Sequence, residues 1–193
     1  MRYLLLVLAF LVSCSTQALQ PQPDNLFPRV KFTTSAGDIV VALNRSRAPL
    51  TVENFLTYVQ SGSYNETIFH LIIPGFVVQG GGYDVEFNER TMFKPIPNES
   101  GNGLLNQYGT IAMARMSEPH SATRQFYFNV NDNESLNPSS RRWGYTVFGS
   151  VVEGMEVLEQ MATVETGIHE QTGWPDVPKQ PPVLLKVELL PAS

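Results

Sequence analysis

The stretch at residues 67–82, TIFHLIIPGFVVQGGG, constrains this chain more than any other. A β-branched and aromatic run at 67–73 and a second at 76–79 flank Pro74-Gly75, a dipeptide that sets a tight turn. The second run ends in three consecutive glycines, where bare backbone can approach another group closely. Backbone chemistry alone therefore predicts a hairpin-like pair of short strands that opens on a glycine-rich mouth.

The rest of the chain supplies partners for that hairpin. Residues 30–34 and 38–43 are β-rich runs around Ser35-Ala36-Gly37. Pro49 opens a helical pattern in which Val52, Phe55, Leu56 and Val59 share one face, and Gly62 stops it. A polar loop at 83–103 carries Pro95, Pro97, Gly101 and Gly103. Strands are expected at 109–114, 125–130 and 143–152. A second helix pattern follows Gly154, with Met155, Leu158 and Met161 in one row, and a closing strand spans 183–190. Eight short strands with two widely separated helices exclude a repeating βαβ layout. They predict a mainly-β fold: a closed eight-stranded antiparallel barrel capped by two α-helices.

With 42% hydrophobic and 16% charged residues in 193, the chain suits one domain with a proper core. A net charge of −5 offers no basic footprint for nucleic acid. His70, His120 and His169 are far apart and have no cysteine partners, so neither a metal site nor a cofactor is expected. The start is different in kind. Met1-Arg2, an apolar run at 3–12 too short to span a membrane, and small residues after it describe a signal peptide over 1–18. Leu11-Val12-Ser13-Cys14 reads as a lipobox that would make Cys14, the single cysteine, the lipidated first residue. Cleavage after Ala18, discarding Cys14, fits as well. Residues 19–28, with Pro21, Pro23 and Pro28, read as an extended tether, leaving 29–193 as the domain. Sequons at Asn44, Asn65, Asn98 and Asn133 read as chance in an Asn-rich chain.

The order of residues in 67–82 resembles the central signature of the cyclophilin family of peptidyl-prolyl isomerases, F-H-R-x-I-P-G-F-x-x-Q-G-G. Phe69, His70, Ile73, Pro74, Gly75, Phe76, Gln79, Gly80 and Gly81 match, and Leu71 stands in place of the arginine. The resemblance extends through 113–115, 125–126 and 147–149 and covers about 30–190. It implies the cyclophilin-like barrel and a catalytic set of Phe76, Gln79 and, at the arginine position, Leu71. It also implies substrate contacts from His70, Val77, Ala114, Arg115, Met116, Gln125, Tyr127, Leu136 and Tyr145. Ser135 occupies the place of a tryptophan common in eukaryotic members, which implies weak cyclosporin binding. Chemistry of this kind needs an apolar pocket for the proline ring, neutral donors for the adjoining carbonyl, and no covalent intermediate.

Taken without the resemblance, the same residues read more plainly. Phe76, Val77 and Tyr127 fit barrel core, and His70 a hydrogen-bonded structural side chain. Arg115 and Arg124 fit solvated surface charges. Gln79 and Gln125 stand apart, because amides inside apolar strands need partners. Leucine brings volume but no donor, so Leu71 implies weakened isomerase activity. By pleat alternation Arg124 points away from the face of Gln125 and does not replace the missing arginine; Met116 is expected to narrow the pocket. The sequence thus points to a prolyl isomerase of a bacterial envelope, periplasm-facing, lipid-anchored or soluble. Its expected partners are proline-containing segments of exported proteins, and it is expected to act as a monomer. The alternative is a non-catalytic proline-peptide binding or chaperone module on the same fold.

Overall fold

The computed structural model describes residues 22–192; the leader, with Cys14 and its lipidation, and the first part of the tether lie outside the described residues. The strands are β1 (Arg29–Thr34), β2 (Gly37–Leu43), β3 (Thr67–Ile68), β4 (Leu71–Ile73), β5 (Val77–Gly80), β6 (Thr110–Met113), β7 (Phe126–Asn129), β8 (Val147–Glu153), β9 (Thr166–Gly167), β10 (Val177–Pro178) and β11 (Val183–Leu189). Two helices, α1 (Pro49–Gln60) and α2 (Met155–Met161), complete the fold. One nine-stranded sheet runs β3-β11-β1-β2-β8-β6-β7-β5-β4, and β9 pairs with β10 apart from it. Every pairing in the large sheet is antiparallel.

The mainly-β architecture with two helices agrees with expectation, but the strand count and the closure differ. The single strand expected at 67–73 breaks at Phe69-His70 into β3 and β4, which form the two edges of the sheet. The barrel is thus joined at that seam by the chain itself and not by a ladder. The break follows from crowding: a Cβ on Gly80 would stand 2.7 Å from the Phe69 ring and 2.9 Å from the Ile68 carbonyl. Phe69 N–H turns instead to the Pro182 carbonyl. The strand expected at 143–152 begins only at Val147, because 137–144 folds as a loop closed by Tyr145 N–H donating to the Leu136 carbonyl.

Two apolar layers lie on opposite faces of the sheet. Inside, Phe32, Phe55, Phe126, Phe128 and Phe148 pack edge-on or tilted with ring centroids 5.3–5.9 Å apart, under α1. The helix starts without a side-chain cap of its own. The Glu99 carboxylate supplies one from the long loop, accepting from Leu50 N–H, Thr51 N–H and the Thr51 hydroxyl at 2.7–3.1 Å. Residues 22–28, read from sequence as part of an extended tether, make turns fastened to the domain. Arg45 donates to the carbonyls of Gln22 and Asn25, and Gln22 Nε2 donates to that of Leu190.

Candidate active site

The second apolar layer is the candidate site. Pleat alternation sends Phe126 and Phe128 of β7 inward and Tyr127 outward, and it does the same for Val78 against Val77 and Gln79 on β5. In register, Leu71 lies opposite Gln79, Gln79 opposite Tyr127, Tyr127 opposite Ala112, and Ala112 opposite Val147. One row of side chains therefore crosses five strands on the outward face. An outward sheet face is ordinarily polar; here Val77, Ala112, Tyr127 and Val147 are buried by Leu71, Ile73, Phe76, Leu104, Ala114, Leu136 and Tyr145. This patch is a ready seat for an apolar ring.

Polar groups frame it. Gln79 Nε2 donates to Gln125 Oε1 at 3.0 Å, and Gln125 presses on Gly82, where a Cβ would stand 2.6 Å away. The glycine run thus gives the glutamine pair its room. Beside the pair lies a depression of about 490 Å³ lined by Gln79, Ala114, Arg115, Met116 and Gln125, with Tyr83 and Glu89 among its other walls. Met116 is 75% exposed, so it stands at the rim and does not narrow the pocket.

An asparagine network holds the patch from behind. Tyr127 donates its hydroxyl to Asn106 Oδ1 at 2.7 Å, and burial raises its pKa well above 10. The hydroxyl therefore faces the protein. Asn133 Nδ2 donates to the carbonyl of Phe76 at 2.8 Å and to Asn129 Oδ1 at 2.7 Å. Asn106 N–H donates to Asn137 Oδ1, and Tyr108 hangs from Asp132 just beyond. Sequence reasoning missed Asn106, Asn129 and Leu104; the asparagine density of 129–137 was the available signal, and Asn133 had been noticed only as a sequon.

His70, Arg115 and Arg124 are each engaged by the protein itself. His70 is buried with its ring 4.7 Å from that of Tyr83, and its Nδ1 has no hydrogen-bond partner among the described residues. Burial lowers its pKa to about 4, outweighing smaller opposing effects of the Ile68 backbone and the Gln125 amide. Arg115 is a clamp. Its guanidinium sits 4.6 Å from the centre of the Tyr145 ring and donates to the carbonyls of Gly144, Met116, Ser117 and Trp143. Arg124 is 1% exposed and points to the opposite side from Gln125.

The buried neutral His70 carries a pH prediction. Its folded pKa lies below the unfolded 6.5, so the unfolded chain binds more protons through the interval between about 4 and 6.5. Its contribution, about 3 kcal/mol, is complete above pH 6.5 and lost as pH falls toward 4. Urea midpoints across this window should fall more steeply for wild type than for His70→Gln. Parallel profiles would contradict the assignment.

The model of the family described as "Cyclophilin type peptidyl-prolyl cis-trans isomerase/CLD" matches residues 29–188. The chain is 49% identical over 164 residues to peptidyl-prolyl cis-trans isomerase cyp18 of Streptomyces antibioticus, covering 83% of this chain and 98% of that one. It is 46% identical over 164 residues to peptidyl-prolyl cis-trans isomerase B of Escherichia coli, covering 82% and 97%. A crystal structure of a Cryptosporidium parvum cyclophilin superposes with a TM-score of 0.68 at 24% identity, over 86% of this chain and 99% of that one. The chain belongs to the cyclophilin family of peptidyl-prolyl cis-trans isomerases.

Proposed function

We propose that the patch binds the proline ring of an extended peptide and that the glutamine pair holds the neighbouring backbone while the X–Pro bond rotates. The barrier to rotation, about 18–20 kcal/mol, is amide resonance. A site lowers it by favouring the twisted amide over the planar one. The observation that carries this reading is the row Leu71–Gln79–Tyr127–Ala112–Val147, which sets an apolar seat beside neutral donors and acceptors on one face. Gln79 and Gln125 spend one donor and one acceptor on each other. The Gln79 oxygen and the Gln125 N–H groups are then available to a peptide.

Leu71 lies opposite Gln79 and brings no donor to this face, so the nitrogen of a twisting proline amide gains no hydrogen bond there. Activity is therefore reduced relative to members with arginine. The same observation favours one second reading, a proline-peptide binding module that accelerates nothing. Exchange NMR on an Ala-Pro peptide separates the two. Faster cis–trans exchange with the mature domain supports the isomerase. Peptide-induced shifts at Gln79 and Tyr127 without faster exchange would replace it by the binding module.

The clients we assign are proline-containing segments of exported proteins, met by a monomer at the periplasmic side of a bacterial envelope. The leader and its lipobox-like Cys14 support that location, and no helix among the described residues is long and apolar enough to cross a membrane. The intact mass of chain extracted from membranes tests it. A mass carrying lipid on Cys14 supports anchoring, and an unmodified chain beginning after Ala18 removes the anchor.

A further inference from the structure

The loop at 137–144 leaves the apolar seat at Leu136 and returns to it at Tyr145, and its tip reads Ser139-Ser140-Arg141-Arg142-Trp143. The two ends are tied by Tyr145 N–H donating to the Leu136 carbonyl at 3.0 Å. Ser139 and Arg142 bridge one another across the tip, and Arg142 donates its guanidinium to the Ser135 carbonyl. Gly144 lies so close to Pro138 that a Cβ there would meet its nitrogen at 2.4 Å. This is a fixed loop, and it walls a cleft of about 390 Å³ with Ser100, Ser140, Arg141, Arg142 and Trp143.

Charge is distributed unevenly around it. Among the described residues, Arg29, Lys31, Arg45, Arg90, Lys179 and Lys186 each lie within 4.0 Å of a carboxylate. The cations without such a partner are Arg47, Lys94, Arg115, buried Arg124, Arg141 and Arg142. Three of these six, Arg115, Arg141 and Arg142, belong to this loop or clamp it, since Arg115 donates to the carbonyls of Trp143 and Gly144. Glu118 and Glu134, the nearest acids in sequence, pair with none of them. A chain of net charge −5 thus keeps, beside the seat, three of the five described arginines that lack a carboxylate partner.

Resting on the isomerase or peptide-binding reading of that seat, we propose that the 137–144 cleft is a second subsite. It takes the carboxylate of an Asp or Glu side chain a few residues from the bound proline. Arg141 supplies the exposed, uncommitted guanidinium. Its backbone N–H is turned to the Ser139 hydroxyl, and its side chain makes no hydrogen bond among the described residues. Arg142 adds charge while anchored on Ser135, and the exposed Trp143, edge-on to His120 at 5.1 Å, forms a side wall. A planar guanidinium matches a carboxylate in a bidentate pair, so the subsite selects the charge and shape of an acid over its amide.

The test walks a single Glu through the positions on both sides of proline in a short peptide, with a Gln twin for each. Binding is read from chemical-shift titration and turnover from exchange NMR. One position should bind about three-fold more tightly as Glu than as Gln at low ionic strength. That ratio should fall to about one in Arg141→Gln and in about 1 M salt, where screening acts within about 3 Å. In Arg141→Glu it should invert, while Arg142 keeps its hold on Ser135. A Glu-to-Gln ratio of one at every position overturns the subsite, as does a preference that survives Arg141→Gln. Failure of the isomerase reading is read separately, as Gln peptides that titrate the seat without faster exchange.

Discussion

Leu71→Arg should raise kcat/KM for Ala-Pro isomerisation about a hundredfold. Leu71 sits on β4, half-buried, opposite Gln79, with its side chain among Phe76, Val77 and Tyr127 on the outward face. An arginine at this position replaces the leucine volume with its methylene stem and carries the guanidinium past it toward the glutamine pair. The gain comes from a donor that meets the proline nitrogen only as that nitrogen pyramidalises in the twisted amide. Such a contact lowers the transition state without tightening the ground state. Deleting one preorganised donor of comparable type costs roughly 10²–10³ in rate, and adding it back recovers the lower part of that range, about 2.7 kcal/mol. Peptide affinity should change far less than turnover, and that split identifies the effect. A folded Leu71→Arg protein with unchanged turnover would show that the missing donor does not limit this site. A rise in affinity alone would assign the arginine to binding.

How far the sequence could lead depended on what each signal measures. Helix α1 was legible because Val52, Phe55, Leu56 and Val59 pack against only one layer, so periodicity reports one buried face. The site face was legible only through the ordered motif. Both sides of β5 and β7 are apolar, so alternation cannot distinguish Val77 and Tyr127 from Val78 and Phe128, although they bury in different layers. The break between β3 and β4 depends on a close approach of Ile68 and Phe69 to Gly80, a contact between strands that no local window contains. Residues 143–146 read as the start of a strand because Trp143 and Tyr145 have strand propensity. The structure spends them on a side wall and on the seat. Asn106 and Asn133 looked like loop composition and Asn129 like an ordinary strand residue, yet they bond one another and so fix Phe76 and Tyr127. The sequon asparagines are engaged likewise: Asn98 Nδ2 donates to the carbonyls of Pro119 and Gly144, and Asn133 is buried.

Arg124 departs furthest from a local reading, and removing it should cost the domain about 3–5 kcal/mol. An arginine before a strand ordinarily faces solvent; this one is buried and has no carboxylate within 4.0 Å among the described residues. Three carbonyls satisfy it. Nε donates to Gly81 at 2.6 Å, and the two terminal nitrogens donate to Thr91 at 2.8 Å and Ser63 at 2.6 Å. The Tyr58 and Tyr64 rings face its guanidinium at 5.2 and 5.5 Å, and Tyr64 returns a hydroxyl bond to the Arg124 carbonyl at 2.7 Å. Desolvation lowers its pKa, but arginine remains charged at any physiological pH. In Arg124→Leu the volume is roughly kept, while three buried acceptors lose a charged donor, each bond being worth about 1.5–3 kcal/mol. Partial rescue by water brings the sum down to the stated range. With a urea m-value of about 2 kcal/mol/M the unfolding midpoint should fall by about 2 M at constant m. Arg124→Lys should recover only a part, since one ammonium cannot reach three carbonyls spread over 63, 81 and 91. The loss should reach function as well, because Gly81, held at φ +82°, adjoins the Gly82 backbone against which Gln125 rests. Weaker turnover with the Ala-Pro peptide at temperatures where Arg124→Leu is still folded would show that the guanidinium positions the glutamine pair. A midpoint within about 0.5 M of wild type would mean that the three carbonyls find other donors and that the buried charge is dispensable.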